Sequence, residues 1–242
     1  MTADWSFCRL FGPTSADALF SLVPDLVGLV RAEDPHALWS FRRLPDSLVL
    51  RFRSSADIGR LAREMDDRRL WTVRTGRYEP QTTKYLNLPE TKLADELAST
   101  SSDFALTALR DGRPGLTAAV WHLRRLVELI PEPDRASFLF HCRQHWVSPL
   151  TPARRVELTT AAEVSLEPFD APEAWQQHLD AVRQIVTTAG GMPTRFLLFD
   201  HAQITHNQLG VDNAGAALAA RVVRSTAGRS LVPRPRSDQW RP

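Results

Sequence analysis

The chain has 242 residues, enough for one large domain or two small ones with a sizeable core. Hydrophobic residues make up 43% and charged residues 24%, an ordinary globular balance, and the formal net charge is only +2. So even a balance argues against a nucleic-acid partner, since phosphate binding needs a clustered basic face.

Two cysteines, Cys8 and Cys142, cannot build a disulfide framework, and a reducing compartment is the simpler expectation. Met1-Thr2-Ala3-Asp4-Trp5 lacks the basic and apolar regions of a secretory signal. No run of about eighteen apolar residues would span a bilayer. The expectation is a cytoplasmic protein with no membrane partner.

In chain order, residues 15–30 place Leu19, Leu22, Val23, Leu26, Val27 and Val30 at helical spacing. Thr14 or Ser15 would cap this helix and Pro24 would kink it. Residues 37–43 and 47–53 read as two strands around Leu44-Pro45-Asp46. In the second strand Leu48, Leu50 and Phe52 share one face, and Val49, Arg51 and Arg53 the other. Residues 55–66 form a short helix, and 70–77 alternate as a third strand leading into Tyr78-Glu79-Pro80.

From Glu90 onward the pattern is helical. Residues 91–110, 116–130 and 134–146 are separated by Asp111-Gly112-Arg113-Pro114-Gly115 and Pro131-Glu132-Pro133. Helices over 172–189, 194–209 and 213–225 follow, the first ending at Gly190-Gly191. The spacing predicts an α+β fold: a small antiparallel sheet near the N-terminus packed with a predominantly helical remainder. Residues 1–227 are expected to form a single domain. The segment 228–242, with Pro233, Pro235 and four arginines, reads as a disordered tail.

Three motifs carry a resemblance. Leu38-Trp39-Ser40-Phe41-Arg42-Arg43, a turn, and Leu48-Val49-Leu50-Arg51-Phe52 resemble the Trp-Phe-Phe-Ile-Arg-Tyr…His-Leu-Arg-Leu-Arg-Phe hairpin of the C-terminal elimination domain of lantibiotic dehydratases. Tyr78-Glu79-Pro80-Gln81-Thr82-Thr83-Lys84-Tyr85 resembles that family's Tyr-x-Pro-Glu-x-x-Arg-Tyr-Gly-Gly. It is followed, as there, by the helix containing Leu93-Ala94-Asp95-Glu96-Leu97 and by Ser101-Ser102-Asp103. His206-Asn207-Gln208-Leu209-Gly210 resembles the end of His-Met-x-x-Asn-Arg-Leu-Gly, and an alanine-rich helix again follows. The order and spacing run from about Trp5 to Ser225. On these residues the chain resembles the thiopeptide-type bacteriocin biosynthesis domain.

Departures qualify what the resemblance implies. Gln81 stands at the family's Glu, Lys84 at its Arg, and Leu86-Asn87 at Gly-Gly. Ser47 occupies a His position, Val49 an Arg position, Gln203 a His position and Gln208 an Arg position. Elimination domains use such groups to hold a glutamyl ester and move protons. The stand-alone pyridine synthases of thiopeptide and pyritide pathways resemble the same fold family. They join two dehydroalanines by a formal aza-[4+2] cycloaddition, with loss of water and of the leader peptide.

The resemblance therefore implies an enzyme of this kind. Its partner would be a dehydrated precursor peptide with its leader, with other enzymes of the same pathway as further partners. The chemistry calls for neither a metal nor a redox cofactor. Two alternatives stay open: a glutamate-eliminating partner of a split dehydratase, and a non-catalytic precursor-binding module.

Cycloaddition needs positioning and proton transfer. His201 beside Asp200 is the first candidate proton shuttle, and the phenols of Tyr78 and Tyr85 are candidate donors. Adjacent helical residues point about 100° apart, however, so Asp200 and His201 need not cooperate. Arg43, Arg51 and Arg53 are candidate holders of peptide carbonyls or of an acidic leader. Trp39, Gln81, Lys84, Gln203, His206 and Asn207 complete the expected substrate contacts. His141 and His145 are four apart around Cys142, but no third ligand is evident, and a packed helix is preferred to a metal site. Trp121, Trp146 and Trp175 read as core.

Overall fold

The computed structural model describes residues 5–11, 16–65, 72–77, 88–160, 172–188 and 193–229. Its elements are β1 (Trp5–Phe11), α1 (Ala16–Glu33), β2 (Leu38–Leu44), β3 (Ser47–Arg53), α2 (Ile58–Met65), β4 (Thr72–Arg77) and α3 (Leu88–Arg110). Six further helices follow: α4 (Gly115–Glu128), α5 (Glu132–Val147), α6 (Pro152–Thr160), α7 (Glu173–Thr188), α8 (Thr194–Gln208) and α9 (Asn213–Arg229). The antiparallel sheet has the order β2-β3-β1-β4. The fold is α+β, as the spacing predicts. Among the described residues no helix is long and apolar enough to cross a membrane. The expected caps at 14 and 15 lie outside the described residues; of the expected tail 228–242, residues 228 and 229 belong to α9 and the rest lie outside the described residues.

Two elements differ from the sequence reading. The strand β1 sits inside the sheet, between β3 and β4. Its alternation is faint because both faces carry apolar groups: Cys8 and Leu10 on one, Phe7 and Phe11 on the other. The helix α6 is amphipathic only weakly, and its described side chains are largely exposed. Pro24 lies inside α1 without ending it.

The alternation of β3 is realised as predicted. Leu48, Leu50 and Phe52 are fully buried, and pair across the sheet with Leu10, Cys8 and Ser6 of β1. With Val23, Leu26 and Val30 of α1 and Phe104, Ala105 and Ala108 of α3 they form one core. A second core lies among the later helices, built on Leu123 and Leu126 of α4, Leu139 and Trp146 of α5, Val182 of α7, Leu198 of α8 and the alanines of α9. The helix α3 joins the two, giving Leu97 to the second core and Phe104 to the first.

An edge strand exposes unpaired backbone groups, and β2 is such a strand. Its outward groups are instead closed by side chains. The N–H groups of Trp39 and Phe41 donate to the hydroxyls of Ser99 (3.4 Å) and Ser102 (3.3 Å) on α3. The Phe41 carbonyl accepts from Gln208 Nε2 (2.9 Å). At Arg43 the Asn207 amide docks twice, accepting from the backbone N–H (3.0 Å) and donating to the carbonyl (3.2 Å). Two of the motifs, Ser101-Ser102-Asp103 and Asn207-Gln208, thus join α3 and α8 to the hairpin.

Gly210 completes this joint. Its φ is +76°, and a Cβ there would stand 2.7 Å from Arg43 Nη1. Gly210→Ala is expected to cost about 1–2 kcal/mol for the left-handed backbone, before any shift of Arg43. A urea titration would read this as a lower midpoint at unchanged slope.

Candidate functional site

A groove of about 510 Å³ lies where hairpin, α3, α8 and the start of α9 meet. Ser40, Phe41, Arg42 and Arg51 line it from the hairpin, and Thr91, Ala94, Asp95 and Ala98 from α3. Asp200, Gln203, Ile204, His206 and Asn207 line it from α8, and Trp146 from α5. The α8 spacing of 200, 203, 204 and 207 is one helical face. That periodicity is why these four residues reach the same space, with His206 entering at its margin.

Several expected residues therefore meet there: Asp200, Gln203, His206, Asn207 and Arg51. Others do not. Trp39 is 1% exposed, stacks on Phe41 at 5.7 Å and donates its indole N–H to Asp103 at 3.0 Å; it is a core residue rather than a groove wall. Arg43 pairs in register with buried Leu48 and packs its guanidinium on Gly210, so its neighbour Arg42 lines the groove instead. One residue along a strand reverses the face. Arg53 shares the face of Arg51, and both lie near Asp95. Tyr78, Gln81, Lys84 and Tyr85 lie outside the described residues.

The pair Asp200 and His201 separates as adjacent helical residues do. Asp200 faces the groove, whereas His201, 1% exposed, faces the protein interior. There it meets His122 of α4 and His178 of α7, neither of which the sequence reading singled out. The Nε2 atoms of His122 and His201 are 3.3 Å apart. One ring nitrogen from each of the three histidines lies within 4.8 Å of the others. The available signal was their position: His122 lies one turn beyond Ala118 and Ala119, and His178 beside Leu179 and one turn beyond Trp175, on the buried faces of α4 and α7. By contrast His141 and His145 are exposed on either side of buried Cys142.

Electrostatics mark five ionisable groups in and behind the groove. Burial holds the Asp95 carboxyl above the usual carboxylate value, against the lowering pull of the Trp5 indole (3.1 Å) and of Arg53 and Arg51. Burial pushes His206 and His201 each down to about 4. It holds His122 and His178 well below the ordinary imidazole value. At neutral pH these four rings are uncharged. The groove thus presents a carboxyl that retains its proton more readily than usual, a neutral imidazole, a second carboxylate at Asp200, and two guanidiniums. Such a set can donate and accept protons within one peptide-sized space. Asp95 belongs to a matched segment, but only its partial burial and the Trp5 indole bond distinguish it from the other acids of α3.

No family model matches the chain, and no curated protein matches it in sequence. Among solved structures, its fold is similar to the pyridine synthase TbtD from thiomuracin biosynthesis, with a TM-score of 0.64 over 93% of this chain and 98% of that one, at 14% identity.

Proposed function

We propose that the chain is a pyridine synthase acting on a dehydrated, ribosomally made peptide with its leader attached. The observation that carries this reading is the groove itself. Its walls are the hairpin, α3 and α8, segments that hold the first and last of the family-like motifs, in a fold that overlaps a pyridine synthase along nearly its whole length. Its volume falls in the range of sites for ligands of a few hundred Å³.

The reaction needs two dehydroalanines brought together, one as an iminol 2-azadiene and one as the alkene partner. Holding them aligned supplies roughly 7–11 kcal/mol of the barrier. In forming the iminol, a proton moves from the amide nitrogen to its oxygen. Asp95, which holds a proton more readily than an ordinary carboxyl, relays this proton together with Asp200 or the neutral His206. Two carbon–carbon bonds then close the ring. The former amide oxygen leaves as water and the leader leaves as its carboxamide, each taking a proton that these same groups relay, and the ring becomes a pyridine with no net redox change. Arg42 and Arg51 hold peptide carbonyls or acidic leader side chains.

The test is a linear peptide bearing its leader and two dehydroalanines. The expected product is a pyridine macrocycle, with one water lost and the leader released as an amide. Return of the peptide unchanged but tightly bound would support a binding module instead. Turnover of a glutamylated peptide to an alkene would support elimination. Asp95→Asn keeps the Trp5 contact and is expected to lower kcat by about 10²-fold or more with little change in KM. An unchanged kcat in a folded variant removes Asp95 from proton transfer.

A further inference from the structure

The groove reading leaves one buried cluster unused: His122, His178 and His201, from α4, α7 and α8. These three are 0%, 6% and 1% exposed. A hydrophobic core normally fills such a place with apolar side chains, and neutral imidazoles there must each place one donor and one acceptor. His178 donates from Nδ1 to the Thr100 carbonyl at 3.1 Å, which leaves Nε2 as a bare lone pair. That atom has no hydrogen-bond partner among the described residues. Its lone pair needs an electrophile.

The ring spacings match those around a shared ion, in a cluster whose ligand nitrogens all lie within 4.8 Å of one another. Nitrogens about 2.0–2.1 Å from a tetrahedral zinc ion are roughly 3.3 Å apart, and the centroids of their rings roughly 5.2 Å apart. Here the Nε2 atoms of His122 and His201 are 3.3 Å apart. The three centroid separations are 5.0, 5.3 and 5.4 Å. The His178–Thr100 bond is the kind of outer contact that fixes a ligating imidazole's tautomer and orientation. Phe104 stacks on two of the rings, at 5.1 Å from His122 and 4.6 Å from His178, and holds them in place.

We propose that His122, His178 and His201 form a three-histidine zinc site that ties α4, α7 and α8 together behind the groove. Three neutral histidines leave a fourth position for water or hydroxide. The depth of the site means that the ion enters as the chain folds and exchanges slowly. It would brace α8, whose opposite face carries Asp200 and Gln203 into the groove. The proposal does not depend on the cycloaddition reading, because its readout is metal content and stability.

The experiment uses the full chain expressed in zinc-supplemented medium. Elemental analysis is expected to find one zinc per chain. Prolonged chelation is expected to lower Tm by several degrees, and zinc to restore it. Cobalt(II) in place of zinc should give the intense visible bands of a tetrahedral site. His178→Phe, which keeps a ring against Phe104, is expected to hold no zinc and to lose the Tm response. A wild-type chain with no stoichiometric metal and no Tm response to zinc overturns the proposal, as does equal zinc in wild type and His178→Phe. If that variant does not fold, the cobalt spectrum of the wild type decides: tetrahedral bands support the site, and a pale octahedral spectrum overturns it.

Discussion

Acidification from pH 7 to pH 5 is expected to lower the folding stability by several kcal/mol. His201 and His206 have values lowered by burial to about 4, from an ordinary 6.5. Above 6.5 both folded and unfolded chains hold these rings neutral, so pH has no effect through them. Below 6.5 the unfolded chain takes up protons that the folded chain refuses, and stability falls with pH until about 4. At pH 5 each ring costs about 2 kcal/mol, so these two alone cost roughly 4 kcal/mol. His122 and His178 act in the same direction, since burial also holds them low. Domains are commonly stable by only about 5–15 kcal/mol. Urea midpoints between pH 7 and pH 4 would show the slope, and midpoints flat across that window would refute it. A bound zinc ion strengthens the dependence, because protonation would also expel it.

The second large effect is expected at Gln208→Leu. Gln208 is fully buried, donates to the Phe41 carbonyl (2.9 Å) and to Ser102 Oγ (2.8 Å), and accepts from Ser101 Oγ (2.5 Å). Leucine nearly fills the volume but removes all three of these buried amide bonds, to the Phe41 carbonyl and to the Ser101 and Ser102 hydroxyls. The expected loss is about 2–4 kcal/mol, since three buried hydrogen bonds to one amide are lost together. Thermal unfolding of the variant checks it, and an unchanged Tm would show that water or a rearranged serine replaces the amide. The position reads in sequence as a departure from an arginine of the resembling family. In the fold it is a structural amide facing away from the groove.

That contrast generalises to the rest of the site. Periodicity determined the faces of each element from the sequence alone: the buried Leu48, Leu50 and Phe52, the opposite Arg51 and Arg53, and the run of helices after residue 88. It also ordered the motifs that prove to meet, because hairpin, α3 and α8 all contribute to one groove. What periodicity does not contain is the element that packs on each face. Asp200 and His201 were legible as pointing apart, but only the docking of α4 and α7 against α8 made one a groove residue and the other part of a histidine cluster. Likewise the register of β2 turned Arg42 rather than Arg43 into the groove, and Trp39 into the core. A sequence states which side chains share a face. Long-range contacts between elements many residues apart, paid for by burial of the two cores, decide what that face meets, and only the tertiary structure holds that information.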